Sequence, residues 1–271
     1  MSPPNLLHEH DLSDPKFVSA LARGLGVLRA FRRSDTTLGN QALASRTGLP
    51  KATVSRLTYT LCKLGYLAQV ETSGEYRLAA GAMTLGLSAV AATDLHDRAM
   101  MELEILCRSD NANVAAGLGE RHDLSMIYLA TYRKPRALAL NFTLGGEVPL
   151  FATSIGRAAI MTQPEDRQDA LLARARDRAR PEWRDRLAGW LDKAREDYAR
   201  YGFCTSFGDW REEIHGIAAP VTLPDKTRSL AINVGGLSFF NPAEELMRDH
   251  GDRLLQAAAN LSLKLRDDDD S

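Results

Sequence analysis

The sequence predicts an α+β protein with an N-terminal winged helix-turn-helix unit, a connecting helix and a larger C-terminal α/β unit. Three observations favour this fold class. Residues 40–66 have the spacing of a helix-turn-helix, a short strand hairpin follows them directly, and short apolar strands alternate with helical runs after residue 111. A chain of 271 residues is also long enough for two separate hydrophobic cores.

We expect five segments along the chain. Residues 1–15 combine prolines and mixed charge without periodicity, which predicts a disordered lead-in, and residues 267–271 form an acidic tail. Between them we expect a winged helix-turn-helix domain at 16–80, a linker helix at 81–98 and a C-terminal domain at 99–266.

An amphipathic helix is predicted first, over residues 17–31. Apolar side chains such as Phe17, Leu21 and Leu28 recur there at helical spacing, and the arginines lie elsewhere on its surface.

Residues 40–50 have the pattern of a helix followed by a sharp turn. Ala44 falls where the two helices of such a motif cross and only a small side chain fits. Gly48 follows four residues later, where the chain needs a left-handed backbone conformation, and Pro50 excludes continuation of the helix.

A second helix is predicted after Pro50, and its buried stripe is Val54, Leu57, Leu61 and Leu64. Its opposite face carries basic and hydroxyl side chains of the kind that reach phosphates and base edges in the major groove. These predicted DNA contacts are Lys51, Thr53, Ser55, Arg56, Thr58 and Tyr59. Residues 40–66 hold four basic residues and no acidic one, which favours DNA binding. The alternative is an ordinary helical hairpin, in which Arg56 would be a plain surface residue.

A β-hairpin over residues 67–70 and 75–78 is predicted next, with a polar turn between its strands. A hairpin directly after a recognition helix is the wing of a winged helix, and its tip reaches the minor groove or the DNA backbone. Arg77 is a candidate phosphate contact, although a surface salt bridge explains it equally well.

The predicted linker helix begins at Gly81 and continues, with a break near Thr93, to Arg108. Its first half is apolar almost all round, with side chains that include Met83, Leu85, Leu87 and Val90. Because such a surface is too hydrophobic for free exposure to solvent, we expect it to pack against a second subunit.

After residue 111 the pattern alternates between short strands and helices. Thr153 supplies a hydroxyl where an extended segment turns into a helix, the usual position of an N-cap. We predict strands at 113–120, 124–132, 137–145, 203–208, 215–223 and 229–236. We predict helices after Thr153, at 165–176, at 181–201 and at 242–265.

Charge is distributed unevenly between the two parts. Residues 16–80 hold ten Lys or Arg against three Asp or Glu, a net charge of +7, whereas residues 81–271 hold 24 against 29, a net charge of −5. A small basic domain joined to a larger acidic one is expected if only the first meets nucleic acid. No apolar run reaches membrane length, no signal-peptide core occurs, and the three cysteines are widely spaced, so we expect a cytoplasmic protein with reduced thiols.

No motif in the sequence predicts catalysis, a cofactor or a metal site. Gly145-Gly146 is not part of a nucleotide-binding pattern, and Ser154 lacks the first glycine of a nucleophile elbow. Glu212, Glu213 and His215 allow a metal or acid–base interpretation, but a polar loop leading into a strand explains them more simply. We therefore expect no enzyme activity.

Together these motifs resemble the IclR family of bacterial transcription regulators. The resemblance rests on the helix at 21–28, the helix-turn-helix ending in KLGYL, the wing ending in Tyr76-Arg77-Leu78, the segment PLFATSIGRA and the strand IAAPV. It covers residues 17–265 and implies a GAF-like effector-binding domain, dimers often paired into tetramers, and an effector that is commonly an organic acid or aromatic catabolite. Such regulators often act on adjacent catabolic operons.

The family's ligand site, carried over to this chain, implies Ser154, Ile155, Gly156, the loop 206–216, Asn233 and Gly235. The sequence departs from the family pattern at several of these positions. Gly216 stands where a cysteine is frequent, Asn233 and Gly235 replace alternating serines, and Phe151 replaces a frequent histidine. The identities of the family's effectors therefore do not transfer.

The residues themselves favour a carboxylate effector. Backbone N–H groups after Thr153 open a helix, and such a helix start favours an anion. Asn233 and Ser206 are candidates to hydrogen-bond the remaining polar atoms. Gly216 leaves space on the floor, which favours a ligand larger than a two-carbon acid, such as an aromatic carboxylate. We expect an apolar wall formed by Phe151, Phe207 and Trp210. The alternative is that these aromatic side chains belong to the ordinary hydrophobic core.

Two other functions stay open on the sequence alone. One is an enzyme domain fused to a DNA-binding domain, against which the lack of a nucleophile–base or metal constellation argues. The other is a DNA-binding protein whose C-terminal domain only oligomerises. The expected partners are double-stranded operator DNA, a small carboxylate and further copies of the chain in a dimer or tetramer, with no membrane and no cofactor.

Overall fold

The computed structural model describes residues 15–32, 34–91, 95–108, 111, 113–138, 142–223 and 228–264. The chain divides into two compact units, residues 1–92 (unit 1) and residues 93–271 (unit 2). The predicted acidic tail, the predicted break near Thr93 and all but Pro15 of the predicted lead-in lie outside the described residues.

Unit 1 begins with three helices, α1 (Ser19–Arg29), α2 (Asn40–Thr47) and α3 (Lys51–Lys63). Gly48 ends α2 with a φ of +70°, which is the sharp turn that the sequence predicted. A Cβ at this position would meet no atom within 4 Å, so the glycine serves the backbone conformation alone. The core of unit 1 consists of Val27, Ala30, Leu38, Leu43, Val54, Leu61 and Leu67.

The buried face of α3 differs from the prediction. Leu64, just past the end of the helix, is 63% exposed, whereas Thr58 is fully buried. Positions 54, 58 and 61 follow the helical period, and residue 64 falls after the last helical turn. The Thr58 hydroxyl donates to the Ser55 carbonyl oxygen at 3.1 Å, so its polar group is satisfied inside the helix.

The hairpin after α3 consists of β1 (Leu67–Gln69) and β2 (Tyr76–Leu78), paired antiparallel. Leu38 forms an additional bridge to Tyr76 and ties the hairpin to the segment before α2. The predicted wing therefore has the position and pairing of a winged helix.

Helix α4 (Ala80–Ala91) follows the wing directly. Its side chains Met83, Leu85 and Leu87 are 63%, 56% and 56% exposed within the single chain. The side chain of Val90 lies outside the described part. The apolar surface that the sequence predicted on this helix is thus uncovered by the rest of unit 1.

Unit 2 contains six strands and six helices in its described part. The strands are β3 (Ala115–His122), β4 (Ser125–Arg133), β5 (Glu147–Pro149), β6 (Cys204–Phe207), β7 (Ile214–Val221) and β8 (Leu230–Leu237). The helices are α5 (Leu95–Leu106), α6 (Ser154–Met161), α7 (Glu165–Arg178), α8 (Pro181–Arg184), α9 (Leu187–Tyr201) and α10 (Ala243–Lys264).

The six strands form one antiparallel sheet in the order β5-β4-β3-β8-β7-β6. One face packs against α5 and α10, and the other against α6, α7 and α9. Adjacent residues of a strand point to opposite faces, so Ile217 and Ala218 of β7 belong to different cores. The face under α6 carries the candidate ligand site.

Two predicted elements differ from the observed ones. The strand expected at 137–145 is absent from the described residues of that range, which are 137–138 and 142–145. The short strand β5 pairs with β4 instead. The single helix expected at 181–201 is broken between α8 and α9. This break accompanies the packing of Trp183 edge-on against Trp190, with ring centroids 5.9 Å apart.

Candidate functional site

The exposed face of α3 contains most of the predicted DNA contacts. Lys51, Ser55, Arg56 and Tyr59 are exposed, and Thr53 is partly buried. Thr58 is fully buried, so its predicted contact with DNA is wrong: it lies one helical turn from Val54, on the core side. The same exposed face also includes Ala52, Thr60 and Lys63, which the sequence analysis missed and a helical wheel from Lys51 would have included.

Two of these side chains have neighbours that orient them. The Asn40 side-chain amide donates a hydrogen bond to the Ser55 hydroxyl, which links the start of α2 to α3. The Lys63 ammonium lies 5.5 Å from the centroid of the Tyr59 ring. The face therefore presents hydroxyls, an aromatic ring and three cations without an acidic side chain.

Arg77 lies exposed on β2, opposite Ala68 of β1. Its guanidinium donates to the adjacent Leu78 carbonyl oxygen at 3.3 Å. No carboxylate of the described residues forms a salt bridge with it, so the structure does not support the salt-bridge interpretation and Arg77 stays a candidate phosphate contact.

A cavity of about 30 Å³ lies between the start of α6 and the sheet face beneath it. Seven of the nine predicted effector residues line it, namely Ser154, Ile155, Ser206, Trp210, Gly216, Asn233 and Gly235. Six more residues line it, namely Tyr128, Phe142, Val148, Thr153, Ile214 and His215. Ile214 and His215 fall within the loop 206–216 expected at the site, whereas the other four were not predicted as ligand contacts. No local pattern indicated Tyr128 or Val148, because strand pairing between β4 and β5 brings them to the site.

Phe151 and Gly156 do not line the cavity, contrary to the prediction. Phe151 is buried in the core beneath α6, and its carbonyl oxygen accepts from Arg157 Nε at 2.8 Å. A Cβ on Gly156 would lie 1.9 Å from the Leu150 carbonyl oxygen. Gly156 is thus required for the close approach of α6 to the preceding segment.

The start of α6 has the cap that the sequence predicted. The Thr153 hydroxyl accepts from the Gly156 N–H at 3.3 Å and donates to the Pro149 carbonyl oxygen at 2.7 Å. Helix geometry leaves the N–H groups of Ser154 and Ile155 without a partner inside the helix. These two donors lie at the cavity and at the positive end of the helix dipole, which favours an anion.

The polar side chains on the sheet side offer acceptors. Asn233 is 4% exposed, and its Oδ1 has no hydrogen-bond partner among the described residues. The Ser206 hydroxyl donates to the Ala152 carbonyl oxygen at 2.9 Å, so only its lone pairs are free for a ligand. Burial raises the pKa of the Tyr128 hydroxyl, and the nearby Asn233 amide partly opposes this shift. Tyr128 therefore stays protonated and neutral at the cavity wall.

The floor of the cavity is formed where Gly216 and Gly235 pair across β7 and β8. A Cβ on Gly216 would lie 3.0 Å from Ser154 Oγ, and a Cβ on Gly235 would lie 2.4 Å from the His215 carbonyl oxygen. The open space expected above Gly216 is therefore absent, because the Ser154 hydroxyl lies over it.

His215 lines the cavity through its main chain. Its ring lies on the opposite face of the sheet from the cavity side of Gly216, as alternation along β7 requires. There Nδ1 lies 2.9 Å from the Asn241 carbonyl oxygen, and the ring packs edge-on against Phe207. Phe207 accordingly packs against the core on the α5 and α10 face, with the His215 ring beside it, and neither side chain is a wall of the site.

A winged helix-turn-helix with a basic exposed face, joined to an α/β unit with a cavity at the start of a helix, defines a DNA-binding transcription regulator. The chain belongs to the IclR family of bacterial transcriptional regulators. The family model for the IclR helix-turn-helix domain matches residues 20–71, and the model for the bacterial transcriptional regulator IclR C-terminal domain matches residues 87–263. Among the described residues, none of the helices has the length and apolar character needed to cross a bilayer.

Relatives with known names support this assignment. The chain is 30% identical over 251 residues to the HTH-type transcriptional regulator TsaQ1/TsaQ2 of Comamonas testosteroni, covering 92% of this chain and 89% of that protein. It resembles the crystal structure of an IclR family transcriptional regulator from Brucella abortus with a TM-score of 0.83 and 37% identity, over 96% and 97% of the two chains. These relatives are regulators and not enzymes.

A second similar structure contains a ligand. It is an IclR homolog from Microbacterium hydrocarbonoxydans complexed with 4-hydroxybenzoate, with a TM-score of 0.70 and 21% identity over 91% of this chain and 99% of that one. At 21% identity, this structural similarity shows that the two chains share a fold.

Proposed function

We propose that this protein binds operator DNA as a dimer and that a small organic acid in the unit 2 cavity changes its affinity for that DNA. The observation that carries the sensing role is the buried, unpartnered Oδ1 of Asn233, which lies in the same cavity as the N–H groups that start α6. An unsatisfied buried acceptor is costly, and a ligand that donates a hydrogen bond would remove that cost.

The placement of donors and acceptors specifies the ligand further. The start of α6 favours a carboxylate, whereas Asn233 and Ser206 both offer acceptors. The matching ligand carries a carboxylate at one end and a hydroxyl or other donor elsewhere. Tyr128 and Phe142, stacked with ring centroids 4.9 Å apart, favour an aromatic body. The ligand in the Microbacterium homolog, 4-hydroxybenzoate, has this chemistry and is a suitable first probe.

DNA binding is assigned to Lys51, Ser55, Arg56 and Tyr59 of α3 and to Arg77 of the wing. Their exposure and the absence of acidic neighbours on that face support a major-groove contact by α3. We place this activity in the cytoplasm, where the operator DNA is, and expect the target to be a catabolic operon.

The proposed dimer forms through unit 1. Met83, Leu85 and Leu87 of α4 and Leu21 and Leu25 of α1 are all half exposed or more in the single chain. Burial of these side chains against a second copy would remove a surface that is unfavourable in water. Pairing of dimers into a tetramer through unit 2 would likewise cover Leu138 and Phe239, which are 64% and 86% exposed.

Calorimetric titration tests the sensing role. We expect 4-hydroxybenzoate and benzoate to bind the wild-type protein more tightly than pyruvate does, because pyruvate has no aromatic ring to pack against Tyr128 and Phe142. Asn233→Leu removes the acceptor at similar volume and should abolish binding of 4-hydroxybenzoate. Binding of pyruvate alone would contradict the aromatic ligand, and unchanged binding by Asn233→Leu would place the site elsewhere.

The alternative is a C-terminal unit that only oligomerises. A ligand that binds only the folded state raises the melting temperature, so a thermal-shift screen of organic acids separates the two functions. A screen in which no acid raises the melting temperature would favour the alternative.

A further inference from the structure

The cavity of unit 2 is too small, as it stands, for the proposed effector. Its volume of about 30 Å³ is far below the roughly 300–1,000 Å³ that ligand sites usually occupy. A part of the wall has to move before an organic acid binds.

Most of the wall is held by regular structure. Tyr128, Gly216 and Asn233 belong to paired strands of the sheet, and Phe142 stacks on Tyr128. Ser154 belongs to the capped and buried start of α6. Displacement of any of these would break ladder hydrogen bonds or core packing.

Trp210, unlike the wall residues of the strands and of α6, lies outside regular structure and packs against the core beneath α6 as a partly buried side chain. It lies in the loop between β6 and β7 and is only half-buried. Its ring has the exposed Arg211 guanidinium 4.7 Å from its centroid, and no hydrogen bond joins its side chain to the described residues. The indole can therefore turn outward without the loss of a hydrogen bond.

Asp209, the residue before Trp210, is by contrast fixed from three sides. Its Oδ2 lies 2.9 Å from Arg157 Nη1. Its Oδ1 accepts from Trp190 Nε1 at 3.1 Å and from Arg186 Nη2 at 3.3 Å. On the other side of Asp209, Gly208 has a φ of +78°, and its N–H donates to the Ile214 carbonyl oxygen at 2.9 Å.

Arg157, the main partner of Asp209, is completely buried in α6. Its guanidinium donates to the carbonyl oxygens of Phe151 and Thr205 at 2.8 and 2.6 Å, and it lies 5.6 Å from the Trp190 ring centroid. Burial lowers the pKa of Arg157, and the Asp209 carboxylate opposes that shift. A buried cation needs its counter-ion, so this pair ties the loop firmly to α6.

We propose that Trp210 is the movable wall of the effector cavity and that the Arg157–Asp209 ion pair is the fixed point about which this wall opens. The inference rests on the proposed function, since it takes the cavity to be the effector site. Asp209 is then a positioning residue that never touches the ligand: it sets how often Trp210 leaves the closed position, and through that the rates of ligand binding and release.

Hydrogen exchange on the ligand-free full-length protein tests the fixed point. Asp209→Asn should speed exchange of the backbone amides at 208–214 by roughly tenfold relative to wild type. Asp169→Asn is the matched control, because Asp169 is an exposed partner of Arg195 away from the loop. Equal exchange in the two variants would overturn the proposal.

A second variant serves as a control for misfolding, because Asp209→Asn leaves the buried Arg157 cation without its counter-ion. Arg157→Met combined with Asp209→Leu removes both charges, and such replacements of buried pairs are often tolerated. This double variant should show the same faster exchange at 208–214 while the rest of unit 2 keeps wild-type exchange. Wild-type exchange in the loop of a folded double variant would also overturn the proposal.

The movable wall is tested with 2-fluoro-4-hydroxybenzoate, which keeps the hydroxyl donor for Asn233, and fluorine NMR line shapes. Trp210→Ala should raise both the association and dissociation rates by roughly tenfold, Asp209→Asn should raise them less, and Trp210→Phe should stay close to wild type. An unchanged association rate in Trp210→Ala would refute the gate. Failure of 2-fluoro-4-hydroxybenzoate to bind wild type would contradict the proposed aromatic ligand, whereas the exchange measurement still decides the role of the ion pair.

Discussion

Asn40, in the first turn of α2, donates a side-chain hydrogen bond to the Ser55 hydroxyl on the exposed face of α3. The two residues lie 15 positions apart and join the helices of the helix-turn-helix at the surface proposed to meet DNA. The Ser55 oxygen accepts from Asn40, and its own proton has no acceptor among the described residues, so it is available to an acceptor on DNA. Guanine N7 and O6, thymine O4 and phosphate oxygens are such acceptors on DNA.

We predict that Ser55→Ala and Asn40→Ala each weaken binding to the selected operator by about 1 kcal/mol and that the double variant loses no more than Ser55→Ala alone. The operator is first selected from a randomised duplex library with wild-type protein. Thr60→Ala is the control, since its hydroxyl donates within α3 to the Arg56 carbonyl oxygen. Additive losses in the double variant would show that Asn40 does not act through Ser55.

Arg56→Ala should weaken operator binding by about 1–3 kcal/mol if the guanidinium reads a base. A phosphate contact would instead give a similar loss on operator and on random duplex. Gel-shift titrations on both DNAs distinguish these roles. Arg200→Ala, which removes an equal charge from an exposed position in unit 2, controls for net charge. Unchanged affinity on both DNAs would exclude Arg56 from the interface.

Gly48→Ala should destabilise unit 1 by roughly 1–2 kcal/mol, because an alanine would have to adopt the left-handed conformation at φ +70°. Steric contact does not contribute, since the added Cβ meets nothing within 4 Å. Gly189→Ala is the matched comparison: it is equally unobstructed but lies within α9, where alanine should stabilise by about 0.5–1 kcal/mol. Calorimetric unfolding of the full chain should show opposite signs for the two changes.

The exposed apolar residues of the two units should control different steps of assembly. Met83→Glu together with Leu87→Glu places charges on α4 and should give monomers in sedimentation at micromolar concentration. Leu138→Glu changes an equally exposed side chain in unit 2 and should stop assembly at the dimer. A dimer that persists in the α4 variant would show that unit 1 does not hold the copies together.

Asp35 should make the stability of unit 1 sensitive to acid. Its hydrogen bonds with the Arg46 side chain and the Arg32 backbone N–H lower its pKa from 3.8 to about 2. Since the folded pKa is the lower one, the stabilisation is fully present above about pH 4 and is lost as the pH falls toward 2. Acid unfolding of Asp35→Asn should lack this component, whereas Asp169→Asn should retain it.

Local chemistry made several elements of this fold predictable. Gly48 and Pro50 determine the turn between α2 and α3 through their backbone conformations alone. Thr153 determines the start of α6 because its hydroxyl caps an N–H three residues later. Most segments could likewise be predicted as helix or strand from the spacing of their apolar residues, because that spacing depends only on neighbours within a few residues.

Only the tertiary structure decided which residues meet across those elements. Whether Thr58 or Leu64 is buried depends on where α3 ends and what packs against it. Tyr128 reaches the cavity because β4 lies beside β3, and Asn233 reaches it because β8 lies beside β7. The order of strands in a sheet cannot be read from a linear sequence.

The sequence by itself determined the winged helix-turn-helix, the basic face of α3 and the polar residues at the start of α6. The tertiary structure decided that Phe151 and Gly156 serve packing, that Ser154 closes the space above Gly216, and that Arg157 lies buried against Asp209. The physical reason is the range of the interactions. Backbone conformation and capping act over a few residues, whereas cavity volume and the pairing of buried charges arise from segments about 50 residues apart that meet only on folding.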